Sequence, residues 1–320
     1  MSGFFDNMLI AAKQVAILYI IVAVGVLADR TNLFTEKTAR LCTNLLFYII
    51  TPCVIVRSFM EIKRTPENVR GILVAIGCGL LLHTVASVLS IPLFRKGDRQ
   101  KNSVLKFASV YGNCGYMALP LANAVVGPEG VFYASAVIMS FQIFAFTHGV
   151  SVMSRDNEGN RAPFKPAKLF FNPGTLSVLI GLPLFLLGVK LPDMVVSPVQ
   201  YIASMNTPLA MLMFGTYISH TDLKTLKQAP GIALAGAFKL LVLPITMIGL
   251  FKLIGLAGLP IKGALLESLI ISASAPSANN TVIFAAKYGR DSGFASQTVA
   301  VISLISIVTM PLLIAFSSVI

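Results

Sequence analysis

The chain has 320 residues, 56% of them hydrophobic and 12% charged, with a mean hydropathy of +0.81. A soluble domain carries about a quarter charged residues, so this much apolar side chain excludes a single water-soluble globule. The formal charge of +12 does not indicate a nucleic-acid binder, because the basic residues fall in short loops between apolar runs, as cytoplasmic membrane loops do.

Taken in order, ten apolar runs stand at 9–28, 39–60, 69–94, 104–126, 130–153, 173–189, 198–219, 229–251, 263–286 and 294–319. Each is near the roughly 20 residues that cross the hydrocarbon core. The predicted fold class is an all-α polytopic membrane protein with ten transmembrane helices. No basic segment precedes the first run and no clear small-residue cleavage site follows it, so it is expected to stay as a membrane helix rather than leave as a signal peptide. Cys42, Cys53, Cys78 and Cys114 all lie inside apolar runs and form no CxxC pair; they read as small apolar residues. No metal-ligand spacing, cofactor motif or nucleophile–base set is present, so neither a metal, a cofactor nor an enzyme is expected.

The longest connection, 154–172, carries Arg155, Asp156, Glu158, Arg161, Lys165 and Lys168 with two prolines. It reads as a solvated linker between a first half, 1–153, and a second half, 173–320. Ten crossings put the linker on the same side as the loops with Arg30/Lys37/Arg40, Arg95/Lys96/Arg99/Lys101/Lys106, Lys224/Lys227 and Lys287/Arg290. The opposite side, with Lys13, Arg57, Lys63, Arg64, Arg70, Lys190, Lys252 and Lys262, is poorer in basic residues. The positive-inside rule makes the richer side cytoplasmic, with both termini outside.

Two runs are interrupted. Tyr111-Gly-Asn-Cys-Gly-Tyr-Met-Ala-Leu-Pro-Leu-Ala-Asn123 breaks the fourth, and Ser272-Ala-Ser-Ala-Pro-Ser-Ala-Asn-Asn-Thr281 breaks the ninth. One offset of 156 residues takes Gly25 to Gly181, Thr51-Pro52 to Thr207-Pro208, Pro120 to Pro276 and Asn123 to Asn279, and superposes His83 on Lys239. Five helices per half is an odd number, so the second half inserts upside down, as in the inverted repeats of secondary transporters. Matched broken helices are the sequence pointer to the substrate site of such proteins. The half-helix N-termini they create suit an anion. Asn113, Asn123, Asn279 and Asn280 add neutral hydrogen-bonding groups, with Gly115, Tyr116, Pro120, Pro276 and Ser277 beside them. The alternative is that these polar groups only satisfy backbone freed by the breaks.

Ionisable residues at depth are few. Glu267, in the first half of the ninth run, is either a proton or cation site or an interfacial carboxylate. His83 and Lys239 either pair with a substrate anion or a helix C-terminus, or serve structure alone; the lysine can also snorkel. Thr51-Pro52 and Thr207-Pro208 are expected to kink the second and seventh helices without breaking them.

The segments Gly112–Leu121 and Ala275–Tyr288 resemble the fourth- and ninth-helix signatures of the auxin efflux carrier family, bacterial or archaeal type, with its short central linker. That family is related in fold to the bile acid:sodium symporters. The resemblance implies scaffold helices 1, 2, 6 and 7, which dimerise, and a transport domain of helices 3–5 and 8–10. It also implies crossing helices 4 and 9 and an elevator-type movement. Asn113 then takes the place of the family's fourth-helix asparagine, and Pro120 and Pro276 those of the crossing prolines. The expected function is a plasma-membrane (inner-membrane) secondary transporter of small organic carboxylates, working as a homodimer in the lipid bilayer. Prokaryotic relatives are associated with dicarboxylates such as malate or malonate. Two further readings stand beside it: a sodium- or proton-coupled symporter of a bile-acid-like or pantoate-like anion, and a membrane receptor that binds without transport.

Overall fold

The computed structural model describes residues 2–95, 97–155, 172–220 and 230–317. Most of the predicted linker, 156–171, and the basic residues Lys96, Lys224 and Lys227 lie outside the described residues. The described chain is helical throughout, with a single isolated antiparallel bridge. Its elements are α1 (Ser2–Arg30), α2 (Glu36–Glu61), α3 (Pro66–Leu89), α4 (Arg99–Val110), α5 (Cys114–Val125), α6 (Pro128–Ser154) and α7 (Pro173–Leu187). There follow α8 (Asp193–Ser204), α9 (Asn206–Ser219), α10 (Pro230–Leu256), α11 (Gly263–Ser274), α12 (Asn280–Lys287) and α13 (Ser292–Ser317). Among them α2, α3, α6, α10 and α13 are each long and apolar enough to cross a membrane. The molecule is a multi-pass membrane protein.

Prolines set where these helices deform. Four π-helical turns occur among the described residues, and three of them (Leu46–Ile50, Cys114–Ala118 and Phe238–Val242) end two residues before a proline. A proline has no N–H and its ring clashes with the carbonyl four residues earlier. For Pro52, Pro120 and Pro244 that carbonyl belongs to Tyr48, Tyr116 and Leu240, each inside the widened turn. The extra residue relieves the clash without ending the helix. Pro120 therefore widens α5 and does not interrupt it; the break in the fourth run lies earlier, at Tyr111–Asn113. At Pro208 the clashing carbonyl is that of Ser204, the last residue of α8. The seventh run divides there, at Met205, where a simple kink was expected.

The repeat register also needs correction. An offset of 156 relates Thr51-Pro52 to Thr207-Pro208, but it does not extend to the ninth run. From the third run onward corresponding boundaries stand 164 apart: Pro66 and Pro230 open α3 and α10, Val110 and Ser274 close α4 and α11, and Pro128 and Ser292 open α6 and α13. The eight additional residues fall between Pro208 and Pro230, where the corresponding interval in the first half runs from Pro52 to Pro66. Pro120 and Pro276, Asn123 and Asn279, and His83 and Lys239 are consequently not equivalent positions.

Packing relies on small residues that let backbones approach, as expected where lipid removes the hydrophobic drive between helices. A Cβ on Gly25 of α1 would lie 2.3 Å from the Leu212 carbonyl oxygen of α9, and one on Gly215 of α9 would lie 2.2 Å from that of Val22. Likewise α7 presents Gly181 to Phe59 of α2, whose ring meets Phe132 of α6 edge-on at 5.2 Å. The α3 helix presents Gly71 to Tyr133 and Gly79 to Ser140, both on α6. These contacts make α6 the most enclosed long helix.

Alanine at Gly25 or Gly215 meets backbone that cannot step aside. Each substitution is expected to cost about 1–3 kcal/mol, read as a lower Tm in detergent. Gly77→Ala, with open space around the new methyl, is the control and should leave Tm unchanged or slightly raised; equal behaviour of all three would contradict the close approach.

Candidate substrate site

The α4 helix ends at Val110 and α11 ends at Ser274, and the two non-helical segments that follow lie against one another. Gly112 and Ser277 form the antiparallel bridge. The Asn113 amide donates to the Pro276 carbonyl at 2.7 Å, and the Ala278 amide donates to the Tyr111 carbonyl at 2.9 Å. Two chain breaks that would each strand backbone groups away from water thus satisfy each other. The remaining ends are capped by side chains. Ser277 donates its hydroxyl to the Ala108 carbonyl, in the last turn of α4, at 2.7 Å. Asn113 Oδ1 accepts from the Tyr116 amide at 3.1 Å and so caps α5. Glycine at 112 leaves room for its neighbours: a Cβ would lie 2.8 Å from Lys239 Nζ and 3.2 Å from the Ala275 carbonyl oxygen, so the lysine head would have to move.

A cavity of about 50 Å³ lies beside this crossing. Asn113, Cys114, Gly115 and Tyr116 line it from the first break, and Ala278, Asn279 and Asn280 from the second. Phe47 and Thr51 of α2, Ile138, Phe141 and Gln142 of α6 and Gly174 of α7 complete the wall. Among the described residues no charged side chain lines it. Positive potential comes instead from the first turns of α5 and α12, where helix dipoles and amides without helical partners concentrate. Two buried polar atoms on the wall, Gln142 Oε1 and Thr51 Oγ1, have no hydrogen-bond partner. The Gln142 amide nitrogen rests against Gly174, where a Cβ would come within 2.7 Å of it. A buried polar atom without a partner is costly, and Gln142 Oε1 can only accept, so a donor group is what would relieve it.

Of the residues anticipated from the sequence, Asn113, Gly115, Tyr116, Asn279 and Asn280 come together on this cavity. Pro276 and Ser277 form the crossing behind it. Pro120 and Asn123 lie elsewhere: Pro120 is buried within α5, and Asn123 lines a second cavity with Arg57, Glu61, Asn206 and Thr207. His83 is buried beside the crossing, its Nδ1 2.8 Å from the Gly79 carbonyl oxygen and 3.2 Å from Ser140 Oγ, with its ring stacked 6.2 Å from that of Tyr111. Lys239 of α10 reaches the crossing itself. Glu267 sits seven residues before the end of α11, about 10 Å along the helix axis, and lines neither of these two cavities.

Three residues were not singled out as ligands or anchors. Gln142 is a lone amide in an apolar run, a signal in itself, and Thr51 was read only as part of a kink. Tyr111 anchors the break, its hydroxyl 2.8 Å from the Phe144 carbonyl oxygen and 2.9 Å from His148 Nδ1. No sequence pattern joins Tyr111 to His148; only the packing of α6 does.

Ser277→Ala and Asn113→Ala each remove a cap from a buried helix end. Each should lower stability by about 1 kcal/mol, seen as a reduced detergent Tm. Asn280→Ala, which removes no hydrogen bond of the crossing, should not. An unchanged Tm for both cap variants would contradict the capping roles.

The family model described as "Membrane transport protein" matches residues 10–314. An uncharacterized transporter of Methanocaldococcus jannaschii is 25% identical over 314 residues, covering 95% of this chain and 98% of that one. A protein of Rhizobium meliloti named "Putative malonate transporter" is 26% identical over 263 residues, 79% of each chain. An uncharacterized transporter of Methanothermobacter thermautotrophicus is 23% identical over 310 residues, covering 94% and 97%.

Proposed function

Because the chain belongs to the membrane transport protein family, we propose that it is a secondary carrier of small organic carboxylate anions, with a short dicarboxylate such as malonate as substrate. The observation that carries this reading is the uncharged cavity beside the crossing, lined by the side-chain amides of Asn113, Gln142, Asn279 and Asn280, whose N–H groups can donate to a carboxylate. Neutral amides and helix N-termini hold an anion without the cost of burying a fixed charge. Each buried water needs roughly 10–15 Å³ of such space, so a cavity of about 50 Å³ suits a molecule of malonate size far better than a steroid-sized anion. The name of the Rhizobium relative points to the same class of substrate.

In this reading the ten runs form two inverted five-helix halves. The first span packs on the seventh through Gly25 and Gly215, and the sixth packs on the second through Gly181 and Phe59. That exchange of partners between halves is what an inverted repeat requires, and it supports grouping helices 1, 2, 6 and 7 as a scaffold. Helices 3–5 and 8–10 then carry the crossing past that scaffold in an elevator movement. The protein works as a homodimer in the plasma membrane, with both termini outside. Proton or sodium coupling through Glu267 is the less favoured reading, since that carboxylate stands about two helical turns from the crossing. A receptor that binds without transport is distinguished by flux alone.

Purified protein in liposomes should accumulate radiolabelled malonate down an imposed gradient faster than protein-free liposomes. Gln142→Ala and Asn279→Ala should each weaken malonate binding roughly five- to tenfold, the effect of a lost hydrogen bond of about 1–1.5 kcal/mol, without lowering Tm. Undiminished affinity in both variants would remove the site; binding without flux would identify a receptor.

A further inference from the structure

The α10 helix opens into a π turn at Phe238–Val242, and that turn holds Lys239. Its side chain is 1% exposed. The ammonium lies on the side of the crossing where Gly112 has no side chain, and the Ala275 carbonyl oxygen presses on that same face. Among the described residues no carboxylate pairs with it; its electrostatic neighbours are the Cys114 thiol and the His83 ring. It is not part of the wall of the anion cavity.

A buried ammonium without a carboxylate is strongly disfavoured unless other negative potential replaces its water. The crossing supplies that potential. The C-terminal end of α4 at Val110 and that of α11 at Ser274 converge there, and helix C-termini carry partial negative charge and carbonyls without helical partners. The Ser274 hydroxyl, fully buried, has no partner either. In broken-helix transporters such ends hold a dissociable cation.

We propose that Lys239 is the resident cation of this crossing. Its ammonium supplies the positive charge that the converging ends of α4 and α11 would otherwise draw from a metal ion. The crossing then assembles, and the anion moves, without sodium. This rests on the carrier reading for its transport consequence but not for its structural one.

The test therefore has two arms. In the first, no substrate is used: wild-type protein and the variants K239R and K239M are melted in detergent in sodium chloride and in choline chloride. Wild type and K239R should melt at the same temperature in both salts, and K239M, which keeps the length of the stem but not the charge, should melt lower. In the second, malonate flux into liposomes should be the same in sodium and in choline for wild type. K239R should stay within a few-fold of it and K239M should fall at least tenfold. Stabilisation of the wild type by sodium over choline overturns the proposal, as does a K239M that melts and transports like wild type. Failure of K239M alone to fold supports it, since Arg at the same position keeps the charge. If both variants fail to fold, the sodium response of the wild type decides. Absence of malonate flux in the wild type refutes the substrate and leaves the melting arm standing.

Discussion

The structure depends on a debt of backbone hydrogen bonds. Inside a bilayer an unpaired peptide group costs several kcal/mol, yet both α4 and α11 stop where the chain continues without helix. The two hydrogen bonds between Asn113 and Pro276 and between Ala278 and Tyr111 resolve this for both breaks at once. Neither break is satisfied without the other. Everything nearby follows from bringing them together: glycine at 112, a serine hydroxyl at the end of α4, an asparagine at the start of α5, and half-helix ends of opposite polarity on the two sides of one short bridge. The N-terminal ends flank the cavity, and the C-terminal ends meet Lys239.

The same need to satisfy carbonyls explains the irregular helices. A proline displaces the carbonyl four residues before it; Pro183, Pro198 and Pro311 are absorbed within continuous helices, and at five others the chain answers in three ways. It inserts a residue at Pro52, Pro120 and Pro244, divides the helix at Pro208, or leaves the helix altogether at Pro276. Which answer is chosen depends on what surrounds the displaced carbonyl, and that is a tertiary property. A proline in an apolar run therefore announces a deformation without specifying its kind. This is why Pro120 looked like a break in the sequence and is a widened turn in the structure.

Much of the fold is legible in the sequence because hydropathy and backbone chemistry are local. The apolar runs, the two interruptions and the residues immediately around them all carry their own signal. Asn113, Gly115, Tyr116, Asn279 and Asn280 reach the same cavity because they belong to the interruptions themselves. What the sequence conceals is distance between segments. A single offset of 156 is natural to read from Thr-Pro pairs and matched prolines, but eight extra residues between Pro208 and Pro230 shift the register, so that His83 and Lys239 are not counterparts. Both nevertheless border the crossing, by packing rather than by symmetry. Gln142 and Thr51 enter the site from helices whose relation to the breaks exists only after folding.

The proposed transport activity requires an organic anion to bind between Gln142 and Asn279, beside the paired breaks. The most direct measurement is a crystal structure of the protein with bromomalonate, locating the bromine by its anomalous scattering. One peak is expected, in the cavity bounded by Asn113, Gln142 and Asn279. A peak instead beside Arg57 and Asn123, or none in either cavity at a concentration that saturates binding, would contradict it.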